Sequence, residues 1–166
     1  GIAASCGYES IQVMAQPKVL ILTTGDELIP VDETPLAHQI RNSNGPMLKA
    51  SFKSMGCSVT TIHVADDASQ TTQALDDALS SDADLVVTVG GISAGKRDFL
   101  PASFAHAEVE QVEKGASIQP GKPIYVGKHA HKVILGLPGN PVSALVCATI
   151  FGNFSILFTF WPLNLT

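Results

Sequence analysis

The stretch Asp84-Leu-Val-Val-Thr-Val-Gly-Gly-Ile-Ser-Ala-Gly-Lys-Arg-Asp-Phe99 decides the fold that we predict for this chain. Its uncharged run from Leu85 to Val89 is typical of a strand that is buried on both faces, and this strand ends at Gly90-Gly91. In α/β proteins, such a glycine-rich turn places backbone N–H groups at the carboxyl end of a parallel sheet, where ligands bind. The stretch therefore predicts a central strand and one wall of a binding site.

The preceding part of the chain alternates strands and helices. A second buried strand is predicted at Val19–Thr24, a helix begins at Asn44-Gly45-Pro46, and the next strand covers Cys57–Val64. A helix capped by Asp66-Asp67 then leads into the strand at 85–89. This β-α-β-α-β pattern predicts an α/β fold, a three-layer αβα sandwich with a mostly parallel sheet.

After the glycine turn, the sequence predicts a short helix at 99–107, a short strand at 109–112, and a hairpin with strands at 124–127 and 132–136. We expect the tip of the hairpin to be exposed. A second turn, Gly136-Leu-Pro-Gly-Asn-Pro141, leads into a helix with Asn140 as N-cap and Pro141 at the first helical position. Free N–H groups at this helix start form a candidate anion site.

Composition narrows the class of protein. With 166 residues, 45% of them hydrophobic and 15% charged, the chain is expected to form one globular domain. A net charge of −5 argues against general binding of nucleic acid. The three cysteines lie far apart without metal-ligand spacing, which favours a reducing compartment. Residues 1–17 lack a basic leader followed by an apolar core, so we expect the cytoplasm.

The end of the chain is uncharged from Val133 to Thr166, which raises the possibility of a membrane helix. Gly152, Asn153 and Pro162 interrupt the apolar run, and no basic flank follows it. We therefore predict a buried or partner-facing helix at about 141–151, with a poorly structured tail, and not a membrane span. The expected domain division is an N-terminal extension from a preceding domain, the α/β domain and an atypical apolar tail: residues 1–17, 18–150 and 151–166.

The glycine turn also fits part of a phosphate-binding loop. Gly90, Gly95 and Lys96 match G-x-x-x-x-G-K behind a strand. That motif continues with Ser or Thr to hold Mg²⁺, whereas this chain has Arg97, and Asp98 would lie at the bound anion. These residues argue against a nucleotidase of this class.

Six short motifs occur in one order along the chain: Thr24-Gly-Asp-Glu-Leu28, Ile40-Arg-Asn-Ser-Asn44, Asp66-Asp67, Gly90-Gly-Ile-Ser-Ala-Gly-Lys-Arg-Asp-Phe99, Pro120-Gly-Lys-Pro123 and Gly136-Leu-Pro-Gly-Asn-Pro-Val-Ser143. Together they resemble the MoeA/gephyrin E-domain family of molybdopterin molybdenumtransferases, specifically the central molybdopterin-binding domain. The resemblance spans roughly residues 17–150. It supports the same αβα fold.

The resemblance implies a function in molybdenum cofactor biosynthesis. The domain would bind adenylylated molybdopterin, and molybdenum from molybdate would be inserted with release of AMP. Glu27 and Asp98, which follow two different strands, would hold Mg²⁺, a cation that prefers carboxylate, phosphate and water oxygens. Lys122 would be the third catalytic residue and would face molybdate. The implied ligand-binding residues are Thr24, Gly25, Asp26, Asp67, Gly90, Gly91, Ser93, Gly95, Pro138, Gly139, Asn140, Pro141 and Ser143.

Several alternatives remain open at this point. Asp26 and Asp67 also suit helix caps or solvated loops, and Asn42 and Asn44 suit loop and cap positions. Gln119 stands where the family usually has Lys, and Lys96 where Asp or Glu is common. The resemblance implies a homodimer and a molybdopterin adenylyltransferase as partners. The alternative function is a non-catalytic ligand-binding or scaffold domain of the same fold, such as a CinA-like protein or a truncated fragment.

Overall fold

The structure is a computed structural model that describes residues 1–92 and 98–160, with the backbone alone for 158–160. Its elements follow in chain order: α1 (Ile2–Ser5), β1 (Lys18–Thr24), β2 (Leu28–Ile29), β3 (Ile40–Arg41), α2 (Asn44–Ser54), β4 (Ser58–Val64), α3 (Ala68–Ser80), β5 (Leu85–Val89), α4 (Leu100–His106), β6 (Glu110–Lys114), β7 (Tyr125–His129), β8 (Lys132–Leu137), α5 (Pro141–Cys147), a π-helical turn (Ala148–Gly152) and α6 (Asn153–Phe160).

One sheet of six strands in the order β4-β1-β5-β8-β7-β6 forms the centre of the domain. The strands β4, β1, β5 and β8 are parallel, and β7 and β6 continue the sheet in antiparallel orientation. All five residues of β5 are buried, because β5 lies between β1 and β8 under helices on both faces. The predicted strands at 19–24, 57–64 and 85–89 are confirmed, and so is the mostly parallel sheet.

Two hydrophobic clusters cover the two faces of the sheet. On one face, Leu48 and Phe52 of α2 and Ala144 and Cys147 of α5 pack on β1, β5 and β8. On the other face, α3 and α4 pack on the same strands, and the ring of Phe104 stacks on that of Tyr125. The inward face of α3 is formed by Ala74, Leu75, Ala78 and Leu79, which are buried. The domain is the three-layer αβα sandwich that the sequence predicts.

The predicted hairpin is confirmed as β7 and β8, but Lys132 is not exposed. His131 at the tip is exposed, whereas Lys132 keeps only 3% of its surface accessible. Its Nζ donates hydrogen bonds to the carbonyl oxygens of Ser81 at 2.6 Å and Ala83 at 2.5 Å. The ammonium group thus satisfies two carbonyls of the α3–β5 connection, and this pairing makes its burial tolerable. It fixes the hairpin at the amino end of the parallel strands.

The C-terminal helix does not end near residue 151 as predicted. A π-helical turn at Ala148–Gly152 carries the chain into α6, which extends to Phe160. Gly152 permits this path, because a Cβ there would lie 2.8 Å from Cε1 of Phe52 in α2. Asn153 remains helical, with its Nδ2 donating to the carbonyl of Thr149 at 2.8 Å. Within the described residues, no helix has the length and hydropathy of a membrane span.

Candidate functional site

A cleft of about 110 Å³ lies at the carboxyl end of the sheet, where β1 and β5 end beside the first residues of α2 and α5. This is the edge at which α/β sheets bind ligands. The cleft brings together several residues that the sequence predicted to bind ligand: Thr24, Glu27, Gly90, Gly139 and Pro141.

Gly90 and Gly91 allow the strand ends to approach closely. Their φ angles of 87° and 59° lie in the left-handed region that favours glycine. A Cβ at Gly90 would lie 3.3 Å from the carbonyl oxygen of Thr24, and one at Gly91 would lie 3.2 Å from Thr24 Oγ1. The amide of Gly90 donates to the carbonyl of Leu137 at 3.1 Å, which joins the turn to the end of β8. Gly90 therefore lines the cleft, and Gly91 packs next to it against Thr24.

Glu27 contributes a carboxylate to the cleft. The side chain is exposed and folds over Gly25, where a Cβ would lie 2.9 Å from Glu27 Oε2. In the described part of the chain, neither a hydrogen bond nor an ion pair is formed by this carboxylate. Mg²⁺ is held in proteins by one or two carboxylates together with waters and substrate phosphates. The donor chemistry of Glu27 fits that role.

Asp98 comes after Gly90-Gly91 in the sequence, two residues before α4 begins, and it is half-buried. The described residues that line the cleft do not include it. No group of three or more His, Cys, Asp or Glu side chains that could enclose a metal occurs in residues 1–92 and 98–160. Mg²⁺ needs only one or two protein carboxylates, because waters and substrate phosphates complete its coordination. Glu27 and Asp98 could form a site of this kind.

Asp26 and Asp67 form backbone contacts. Asp26 Oδ1 accepts a hydrogen bond from the amide of Asp66 at 3.0 Å, which links the β1 and β4 loops. Asp67 caps α3 by accepting from the amide of Gln70 at 2.8 Å. The predicted capping role of Asp67 is confirmed. Any contact with ligand would come in addition to these structural contacts.

Asn140 caps α5 as predicted, with consequences for the predicted anion site. Its Oδ1 accepts from the amides of Val142 at 3.1 Å and Ser143 at 3.2 Å. These two N–H groups are therefore not free to bind an anion, which corrects the expectation of free donors at this helix start. Pro138 is buried beneath the turn, and the side chain of Ser143 is half-buried.

Lys122 lies at the same edge of the sheet as the cleft. The residue is exposed and precedes β7, whose first residue, Tyr125, pairs with Gly136 near the end of β8. Cys147 of α5 anchors the turn at 120–123 that contains Lys122, since its Sγ donates to the carbonyl of Gly121 at 3.3 Å. Burial raises the pKa of the Cys147 thiol and keeps it protonated for this contact. The predicted contacts of Ser93 and Gly95, and the departure at Lys96, lie outside the described residues.

Asn44 lines the cleft, although its sequence position favoured a loop or cap role. It is only 8% exposed, and its Nδ2 donates to the carbonyl of Gly139 at 2.7 Å. This bond joins the start of α2 to the turn before α5, so it connects two walls of the cleft. Ser43 is the N-cap residue instead, while Asn42 Oδ1 accepts from the amide of Gly45 at 3.0 Å. The two residues lie 95 positions apart in the sequence, so no local pattern could predict this contact.

Replacing Asn44 by alanine should lower the free energy of unfolding by about 1–2 kcal/mol, since the Gly139 carbonyl loses its donor. We expect the same variant to weaken ligand binding in the cleft, because two walls are no longer joined. Urea denaturation measures the effect on stability, and titration calorimetry measures the effect on ligand binding. Lys53→Ala is the matched control, since Lys53 is exposed on the same helix, and its effect on stability should stay within about 0.5 kcal/mol. If Asn44→Ala matched the wild type in both measurements, the wall contact would have no energetic role.

The chain is similar in sequence to known proteins. A family model described as "Probable molybdopterin binding domain" matches residues 20–156. The molybdopterin molybdenumtransferase of Synechocystis sp. is 37% identical over 170 residues, covering 96% of this chain and 43% of that protein. Molybdopterin molybdenumtransferase 2 of Mycobacterium tuberculosis is 36% identical, covering 91% and 38%. The chain thus spans less than half the length of these curated relatives.

Solved structures show the same similarity. The crystal structure of the molybdopterin biosynthesis moeA protein from Pyrococcus horikoshii matches with a TM-score of 0.82 at 27% identity, over 96% of this chain and 39% of that one. CinA from Thermoplasma acidophilum matches with a TM-score of 0.69 over 84% of this chain and 98% of its own, but at 17% identity it shows the fold alone. Given the family model, which covers most of its length, the chain belongs to the family of molybdopterin-binding domains.

Proposed function

We propose that the cleft binds adenylylated molybdopterin and that the domain takes part in transferring molybdenum from molybdate with release of AMP. The observation that carries this proposal is the cleft itself, where Thr24, Glu27, Gly90 and Gly139 meet at the ligand-binding edge of the sheet. The molybdenumtransferases to which the chain is similar support the reaction class.

The proposal gives each group a task. Glu27, between β1 and β2, and Asp98, between β5 and α4, would hold Mg²⁺. The bound cation would neutralise charge on the phosphoanhydride. Lys122 would attract molybdate as a point charge, with Ser143 nearby, and Gly90 would let the ligand approach the backbone. The remaining residues proposed to contact ligand are Thr24, Gly25, Asp26, Asp67, Gly91, Ser93, Gly95, Pro138, Gly139, Asn140 and Pro141.

The extent of the binding unit, its assembly and its partners are also proposals, because the chain covers less than half of the length of its relatives. We propose that residues 18–150 form the ligand-binding unit, that it works as a homodimer, and that it receives its substrate from a molybdopterin adenylyltransferase. We also propose a reducing compartment such as the cytoplasm, in which the thiols of Cys6, Cys57 and Cys147 would stay reduced.

The test is molybdate-dependent release of AMP. The chain is incubated with adenylylated molybdopterin and Mg²⁺, with or without molybdate, and AMP is measured by chromatography. Release that requires molybdate supports the transferase. Tight, Mg²⁺-dependent binding without release would instead favour the second candidate, a non-catalytic binding domain of the same fold.

A further inference from the structure

A second pocket lies on the other side of the α2 N-terminus from the cleft. It measures about 340 Å³, within the range of small-molecule sites, and lies between α2 and β4. Lys49 enters it from the helix, and Thr61 and His63 enter it from the strand. Thr23 lines both this pocket and the cleft, so the two lie side by side without merging.

The described lining of the pocket carries a cation, Lys49, although the net charge of the chain is −5. Among the described residues that line it there is no carboxylate. Lys49 is half-buried and, within the described chain, forms no ion pair or hydrogen bond through its ammonium group. A lysine that is partly removed from water and has no anionic neighbour is available to a ligand anion.

His63 is oriented by Thr23. Its Nδ1 lies 3.1 Å from the carbonyl oxygen of Thr23 and 3.1 Å from Thr23 Oγ1. A carbonyl oxygen can only accept, so Nδ1 carries the proton and Nε2 is the ring nitrogen left for a ligand. Asn42 fixes Thr23 in turn, since its Nδ2 donates to Thr23 Oγ1 at 2.9 Å. The imidazole is thus held by a short network before any ligand arrives.

We propose that this pocket binds a phosphomonoester that carries a flat organic group. The phosphate would contact Lys49 and Nε2 of His63, and it can share its proton with Nε2 because a phosphomonoester loses its second proton at about pH 6. The remaining walls are largely apolar, formed by Pro30, Val31 and Pro46. A phosphate group alone leaves these walls without contact, whereas an attached ring would cover them. The site is separate from the cleft of the proposed function and does not require Glu27.

Phenyl phosphate is the probe for this site, followed through the ring resonances of His63 by NMR. Saturable shifts are expected, with a Kd on the order of 1 mM for a ligand of this size. Inorganic phosphate and phenol, each of which retains half of the probe, should bind at least about fivefold more weakly. Equal binding of inorganic phosphate would overturn the role of the apolar walls, and equal binding of phenol would overturn the role of Lys49 and His63 in binding the phosphate.

The decisive variant is Lys49→Met, which removes the charge and keeps a long, helix-compatible side chain. It should weaken phenyl phosphate by about tenfold. Lys53→Met, exposed on the same helix, is the matched control and should bind like the wild type. Glu27→Gln should also leave this binding unchanged, which separates the site from the cleft. Absence of shifts at His63, or equal affinity of Lys49→Met and Lys53→Met, would overturn the proposal.

Discussion

Replacing Glu27 by glutamine is expected to weaken the Mg²⁺-dependent binding of adenylylated molybdopterin by about 100-fold or more. The carboxylate lies in the cleft, exposed, and has no hydrogen-bond or ion-pair partner in the described residues. Glutamine keeps the shape and removes the charge that would hold the cation. The binding is measured by titration calorimetry with and without Mg²⁺.

The control for this variant is Glu33→Gln in the loop between β2 and β3. Glu33 is also exposed but does not line the cleft, so its loss should leave the affinity unchanged. Thermal melting should show that neither variant loses stability, since both side chains are exposed. Equal affinities for both variants and the wild type would remove Glu27 from the proposed site.

Replacing Phe52 by alanine should lower the free energy of unfolding by about 3–5 kcal/mol. The side chain is fully buried between α2 and the sheet, and its ring meets Gly152, where a Cβ would lie only 2.8 Å away. Because glycine has no side chain to fill the space, the cavity left by the ring cannot collapse easily. Urea denaturation provides the measurement.

Val142→Ala on α5 is the control for the loss of an apolar side chain, since Val142 is 62% exposed. Its effect should stay within about 0.5 kcal/mol. A loss of less than about 1 kcal/mol for Phe52→Ala would mean that α2 and the C-terminal helices do not share one core. The extension of the helix beyond residue 151 would then lack its main packing contact.

Local patterns were enough to predict most of the framework. The uncharged run Leu85–Val89 predicted a central strand because burial on both faces excludes charged side chains. Asp67 and Asn140 could be identified as caps because an N-cap bonds amides only two or three residues away. Where the structure describes these motifs, they include Thr24, Glu27, Gly90 and Gly139 of the cleft, so the motifs that carried the family resemblance indicated its region as well.

Contacts between distant segments could not be predicted in the same way. The bond from Asn44 to Gly139 depends on how two loops meet, and the burial of Lys132 depends on two carbonyls about 50 residues away. The helix past residue 151 was missed because glycine and asparagine usually end helices, whereas here Gly152 makes room for Phe52. The pocket at Lys49 and His63 likewise arises from a helix and an edge strand, with no motif in either.

The most direct test of the proposed cleft maps the binding of adenylylated molybdopterin on the chain by NMR in the presence of Mg²⁺. The largest amide shifts should fall on Thr24, Gly90 and Gly139 at the carboxyl edge of the sheet. Amides at the opposite edge, near Ser81 and Lys132, should not move. Shifts confined to that opposite edge, or no saturable shifts at all, would contradict the proposal that this cleft binds adenylylated molybdopterin.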